Sequence, residues 1–328
     1  MKKLIYLIIL ISLVLFSGPS VGQTLIAVQN ESTSSFYNSL DSAIINATNG
    51  DYIYLPGGSF KITVPIEKQL NIIGAGHNPD SCAATGITVV VGNFNINSGS
   101  DHGSLTGLKI GGEIIFTTNE NQFINYYSIE RCNIMGVYLT PRSSNILINE
   151  CIVTGIIQGE YAQGFQLSKC IVEAGSISNF DSNAYFINNI FIESETLYNV
   201  SGCSFRNNIF LNSAGNSTGY TNTYQNNLFN GVYSFIGNQI LLNNITGPVS
   251  TLFKNQSETV FDYKQDYHIL DTSPAHNAGT DGTDLGIYGT GSPWKEGSLP
   301  SNPHIQSKTI STVNGNLNVK IKVAAQDY

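Results

Sequence analysis

An all-β solenoid of stacked 19-residue coils is what the sequence predicts, on three observations. A short phrase recurs with marker positions 132, 151, 170, 189, 208 and 227: Cys132-Asn133-Ile134, Cys151-Ile152-Val153, Cys170-Ile171-Val172, Asn189-Ile190-Phe191, Asn208-Ile209-Phe210 and Asn227-Leu228-Phe229. A fixed period of that size marks an architecture in which each unit buries its apolar face against its neighbours. Within the unit, the fourteenth and sixteenth positions after the marker are apolar (Ile146, Phe165, Ala184, Cys203; Ile148, Leu167, Phe186, Phe205, Tyr224). The residues between them (Leu147, Gln166, Tyr185, Ser204, Thr223) are mostly polar, and such alternation is a strand with one face in and one face out. Gly136, Gly155, Gly164, Asn183 and Gly202 punctuate the units, leaving corners and short parallel strands but no room for a helix.

Stacked coils advance about 4.8 Å each, so the marker residues form columns at a corner. Asn189, Asn208 and Asn227 can pass amide hydrogen bonds along the stack, and Cys132, Cys151 and Cys170 fill the same column as small apolar groups. A Cβ spacing of roughly 4.8 Å exceeds the roughly 3.5–4.5 Å of a disulfide, so these three are expected as buried free thiols. One position earlier, Arg131, Glu150 and Lys169 alternate in sign. They are expected as a ladder of exposed ion pairs worth about 0–1 kcal/mol each.

Taken in order, the chain opens on Lys2 and Lys3, an apolar run from Leu4 to Phe16, and Ser20-Val21-Gly22 before Gln23. That is the layout of a secretory signal peptide over residues 1–22. The mature chain is expected to begin at Gln23, to carry no membrane span, and to be secreted, periplasmic or held at the cell surface. Residues 23–50 are assigned to an N-terminal cap. Within it Leu40, Ala43, Ile44 and Ala47 fall at helical spacing over 38–50, with Asn38 or Ser39 to cap the start and Asn49-Gly50 to end it. A lone helix there would cover the open end of the first coil. The solenoid is assigned to 51–246.

The strand and turn Asp51 to Gly58, then Leu70 to Gly76 with its Ile72-Ile73-Gly74-Ala75-Gly76 close, follow that helix. Together with the corner Asn columns and the stretches Ser273–Gly279 and Asp284–Tyr288, they resemble the secreted bacterial right-handed parallel β-helix proteins of the pectin-lyase-like superfamily, over roughly residues 36–290. The resemblance implies a right-handed parallel β-helix. It leaves function open, because that fold hosts lyases, hydrolases, esterases, adhesins and binding proteins.

Residues 74–131 read as less regular coils, with loops expected at His77–Ala84 and Asn95–Gly103. His77, Asp80, Cys82 and His102 match no zinc spacing and read as loose loop residues. Ile240 to Leu242 is expected to close the last coil. Residues 247–328 form a C-terminal segment in which Trp294, Pro300 and Pro303 suggest irregular chain packed along the solenoid. Asp271–Asp284 is rich in Asp, Asn, Thr and Gly but lacks the order of a defined calcium loop. No cofactor is expected; calcium stays possible without support. Lys308–Val313, the turn Asn314-Gly315 and the alternating Leu317, Val319, Ile321 and Val323 read as a β-hairpin.

Without Lys2 and Lys3 the chain carries 13 basic and 23 acidic residues, a formal −10, and its only arginines are Arg131, Arg142 and Arg206. That argues against a nucleic-acid partner, which needs a basic footprint. Members of the resembled superfamily that act as lyases cluster Asp or Glu on neighbouring coils opposite a Lys or Arg; the hydrolases commonly show an Asp-Asp pair; the esterases need two Asp and an Arg. None of these patterns occurs. The best remaining cluster is Arg142 on one coil, Glu160 and Tyr161 on the next, and Phe180 and Asp181 on the third. Glu160 and Asp181 are expected about 8 Å apart, a separation compatible with inverting glycoside hydrolysis. Arg142, Tyr161 and Phe180 would stack as a platform for a sugar ring. The expectation is a non-catalytic exported protein that holds a glycan or partner along one solenoid face. The alternative is a divergent polysaccharide lyase or glycoside hydrolase with Glu160 and Asp181 as its catalytic pair, acting in a groove near residues 142–181.

Overall fold

The structure, a computed structural model, describes residues 25–325 except 118–121, 174, 182, 193–195, 213–218, 232–234, 236 and 257–259. Residues 1–22, read above as a signal peptide, and Gln23 lie outside the described residues. The fold is a right-handed parallel β-helix. Among the described residues, ten parallel rungs of its first sheet run from Tyr52–Tyr54 to Ile240–Leu242, a second sheet has ten strands and a third has six.

The register explains where the sequence repeat is clean. On the first sheet Tyr52 pairs with Asn71 one period on, but the next two coils, Asn71 to Ser104 and Ser104 to Ser128, are longer. From Ser128 the period holds at each step through Leu147, Gln166, Tyr185, Ser204 and Thr223. The last coil, from Thr223 to Ile240, is shorter. Residues 79–85 loop out of the longest coil, but Phe94–Asn97 form a third-sheet strand. The second expected loop is therefore confined to residues 98–103.

Both ends of the first-sheet strands turn through the left-handed region. Gly107, Arg131, Glu150, Lys169, Asn188, Asn207, Asn226 and Asn243 lead into the second sheet with φ of 50–67°. His102, Tyr126, Asn145, Gly164, Asn183, Gly202 and Thr221 lead in from the third with φ of 53–68°. Asn and Gly tolerate that conformation best, which is why they punctuate the repeat. At the marker column Asn189 makes the predicted hydrogen bonds. Its backbone N and Nδ2 both donate to Asn208 Oδ1 at 2.9 Å, and Nδ2 also donates to Leu167 O at 3.0 Å. The ladder continues through Asn227 to Asn244. In the thiol half of the column sulfur substitutes for the amide oxygen: Cys132 N donates to Cys151 Sγ at 3.3 Å and Cys151 N to Cys170 Sγ at 3.4 Å.

The interior fills by repetition. Ile148, Leu167, Phe186, Phe205 and Tyr224 are fully buried in one column. Phe186–Phe205 and Phe205–Tyr224 stack at 4.6 and 4.7 Å, ring centroids following the coil spacing. The N-terminal cap holds the predicted helix, α1 (Leu40–Asn46), shorter than its spacing suggested. Ser39 Oγ accepts from Ser42 N, and Thr48 N leaves the helix to donate to Asp51 Oδ2 at 2.8 Å. Lys68 Nζ satisfies the freed carbonyls of Ile44, Ile45 and Ala47. An antiparallel hairpin, Ile26–Asn30 with Thr33–Tyr37, extends the first sheet ahead of this helix and covers its leading edge.

The C-terminal segment is a strap over the outer face of the second sheet. Ile152, Ile171, Ile190, Ile209 and Leu228 point outward there, and Leu252, Tyr267, Ile269, Leu285, Ile287 and Trp294 bury them in a second apolar cluster. The left-handed Asn column anchors it. Asn188 Nδ2 donates to Gly286 O, Asn207 exchanges hydrogen bonds with Thr280, and Asn226 Nδ2 donates to Ala278 O. The strap also overturns the exposed-ladder expectation. Glu150 is 3% exposed, with Arg131 Nε at 2.9 Å and Lys169 Nζ at 3.1 Å. The two cations reach on to Leu299 O and Ser292 O. These charges are buried because chain from far downstream lies across them. Beyond the strap, His304–Val313 and Asn316–Ala324 form the predicted hairpin, turning at Asn314 and Gly315 with φ of 51° and 80°.

Candidate functional site

The third sheet and its corner with the first carry the predicted cluster. Along the third sheet Phe94, Ile114, Val137, Ile157, Ile177 and Leu197 face the core, while Asn95, Ile115, Tyr138, Gln158, Ser178 and Tyr198 alternate outward. Burial and then the Glu113 carboxylate push the Tyr138 phenol up. The coils are one residue longer than the period here, Ile157 pairing with Ile177 and Ile177 with Leu197. Glu160, Tyr161, Asn179 and Asn199 absorb the extra length with φ of 42–65°.

That kink creates a polar ladder. Asn199 Nδ2 donates to Asn179 Oδ1 at 3.1 Å and Asn179 Nδ2 donates to Glu160 Oε1 at 3.0 Å. Gln158 Nε2 also donates to Glu160 Oε1. Glu160 is thus the terminal acceptor of an amide ladder. Sequence reasoning missed it because Asn199 falls one position out of step with the repeat, and because a carboxylate beneath a single in-phase Asn does not read as a column.

The predicted platform is only partly assembled. Phe180 is fully buried, 4.8 Å from Phe165 and 5.7 Å from Phe186, so it is a core ring and not a sugar platform. Its strand position pairs with the buried Val200, which fixes its side inward. Arg142 lies over Phe123, 5.8 Å from the ring centroid. Tyr161 is 46% exposed, and its hydroxyl accepts from Asn199 Nδ2 at 3.2 Å. Tyr126 stacks on His102 one coil before, 5.1 Å apart. The corner thus presents His102, Tyr126, Phe123, Arg142 and Tyr161 as a row climbing the stack, with Phe123 and Tyr126 more than half exposed. Asp181 is exposed at the end of its strand, two positions past Asn179, whose carbonyl receives Tyr161 N.

The other candidate residues have structural roles. His77, expected as a loose loop residue, is fully buried, with Nδ1 2.8 Å from the Tyr263 hydroxyl of the strap. Asn133 Nδ2 donates to the same hydroxyl at 3.2 Å. Cys82 Sγ donates to Ala75 O, and burial pushes its thiol up to about 11. In the Asp-rich tail, Asp281 Oδ1 accepts from Thr283, and Asp284 Oδ1 accepts from Asn277 N and lies 2.8 Å from His276 Nδ1. Among the described residues, no group of three or more His, Cys, Asp or Glu converges to hold a metal ion, and no helix is long and apolar enough to cross a membrane.

Fold and face together define a parallel β-helix protein with an aromatic, amide-rich corner. No protein-family profile and no curated protein sequence matches the chain. Among solved structures it is similar to AlyGC, a PL6 family alginate lyase, at 19% identity and a TM-score of 0.38, over 63% of this chain and 37% of that one. It is also similar to ORF18 of Geobacillus virus E2, at 14% identity and a TM-score of 0.37, over 66% of this chain and 59% of that one. The chain spans less than two thirds of either structure.

Proposed function

We propose that the protein is exported and binds an extended glycan along the corner between its third and first sheets, without chemistry of its own. The observation that carries this reading is the row of exposed rings and polar side chains rising one coil at a time through His102–Tyr126, Phe123–Arg142 and Tyr161. A sugar offers apolar C–H faces to such rings and hydroxyl edges to amides and a guanidinium. The coil spacing of about 4.8 Å repeats these contacts at close to the length of one sugar ring. Export rests on residues 1–22, and N-terminal sequencing of secreted material is expected to start at Gln23.

A glycan array followed by calorimetry on the hits tests the reading. Phe123→Ala and Tyr161→Ala should each weaken binding by about 0.5–1.5 kcal/mol, the worth of one aromatic contact. Binding indifferent to both substitutions would refute it. The second reading keeps Glu160 and Asp181 as the acid–base pair of a hydrolase or lyase, drawing on two carboxyl groups carried by successive coils of the stack. Product release from neutral and acidic polysaccharides, with and without calcium, separates the two. We expect no release; release falling about 10²–10⁴-fold in both Glu160→Gln and Asp181→Asn would establish the hydrolase instead.

A further inference from the structure

At the first two rungs the base of the terminal hairpin stands over the outer face of the first sheet. Between them lies a cleft of about 500 Å³, within the roughly 300–1,000 Å³ of small-molecule sites. Its character follows from three observations. Tyr54 and Ile73 of the first sheet and Pro303 and Ile305 at the base of the hairpin line it, and most of the wall is apolar. Among its lining residues, Asn302 Oδ1 and His304 Nδ1 are buried without a hydrogen-bond partner among the described residues, and a buried polar atom of this kind is ordinarily completed by water, an ion or a bound group. Lys308 also lines the cleft, has no ion-pair partner among the described residues, and no Asp or Glu lines it. In a chain of formal charge −8, a cleft with a lysine and no carboxylate selects an anion.

We propose that this cleft binds a small free organic acid with a hydrophobic tail. The carboxylate sits between the Lys308 ammonium, a His304 N–H and the Asn302 amide turned to present its NH₂. The tail lies on Tyr54, Ile73 and Ile305. The site is separate from the glycan corner, and either can fail without the other.

Calorimetry on the chain from Gln23 onward, with octanoate, 1-octanol, octylamine and acetate, varies charge and tail independently. Octanoate should bind at least tenfold more tightly than the other three. Lys308→Gln should weaken octanoate about three- to fivefold, the range for an exposed ion pair, and leave octanol unchanged. Lys308→Arg should restore binding, which distinguishes lost charge from a misfolded hairpin. Lys320→Gln, on the opposite hairpin face, should change nothing. Octanol or octylamine binding as well as octanoate, an equal loss in Lys320→Gln, or no octanoate binding would each overturn the proposal.

Discussion

Removing the Glu150 carboxylate is the sharpest test of how the strap is held. Its oxygens lie 2.9 Å from Arg131 Nε and 3.1 Å from Lys169 Nζ, and the three side chains are only 4–13% exposed. Deleting one member of a buried ion cluster strands the others without their counter-charge, at a cost of about 3–5 kcal/mol. Glu150→Ala is expected to fall in that range. Glu150→Gln keeps an acceptor oxygen and should lose about 1.5–3 kcal/mol, the worth of charge assistance. Replacing the whole cluster is a different perturbation. Arg131→Asn, Glu150→Asn and Lys169→Asn together extend the column of Asn188, Asn207 and Asn226, whose φ values are 51–57°. Asn suits that conformation better than the three native residues, and no charge is left buried, so the triple variant should stay within about 1.5 kcal/mol of the parent. Trp294 is the only tryptophan and is buried in the strap, so its fluorescence in a urea titration reports strap docking directly. A loss below about 1 kcal/mol for Glu150→Ala, less than a buried pair should cost, or a triple variant as damaged as the single, would refute the buried-cluster account.

Two further outcomes follow from buried groups. Burial is the largest cause holding His77 down to about 3, whereas the unfolded chain takes up that proton near pH 6.5. Between those values the unfolded state binds one more proton, so stability should fall as pH drops, by up to roughly 1.4 kcal/mol per unit, and be flat above about 6.5. Urea midpoints from about pH 7.5 to 5 should show this slope in the parent and lose it in His77→Gln; parallel slopes would sink the assignment. All five cysteines are buried and none forms a disulfide, and burial raises the Cys132 and Cys151 thiols well above the usual range. Iodoacetamide should therefore label none in the native state and five after denaturation. A bridge among Cys132, Cys151 and Cys170 in unreduced mass spectra would break the coil register.

Contacts that repeat in phase on several successive coils were legible in the sequence. The repeat placed the inward columns, the Asn ladder at Asn189, Asn208 and Asn227 and the thiol column, because each coil imposes the same corner on the next. The Asn314-Gly315 turn was equally local. Which outward faces are covered was settled only by tertiary packing. Ile152, Ile171, Ile190 and Ile209 follow the marker directly and read as ordinary strand residues, yet a strap from the far end of the chain buries them. The same strap buries Glu150 and pins His77 through Tyr263, 186 residues away. The inward turn of Phe180 escapes the repeat for a related reason: its strand runs on past Asn179 and pairs Phe180 with the buried Val200, whereas Tyr161 at the same repeat position stays exposed. A repeat records contacts between copies of itself. A segment that docks once, from outside the period, leaves no echo in it.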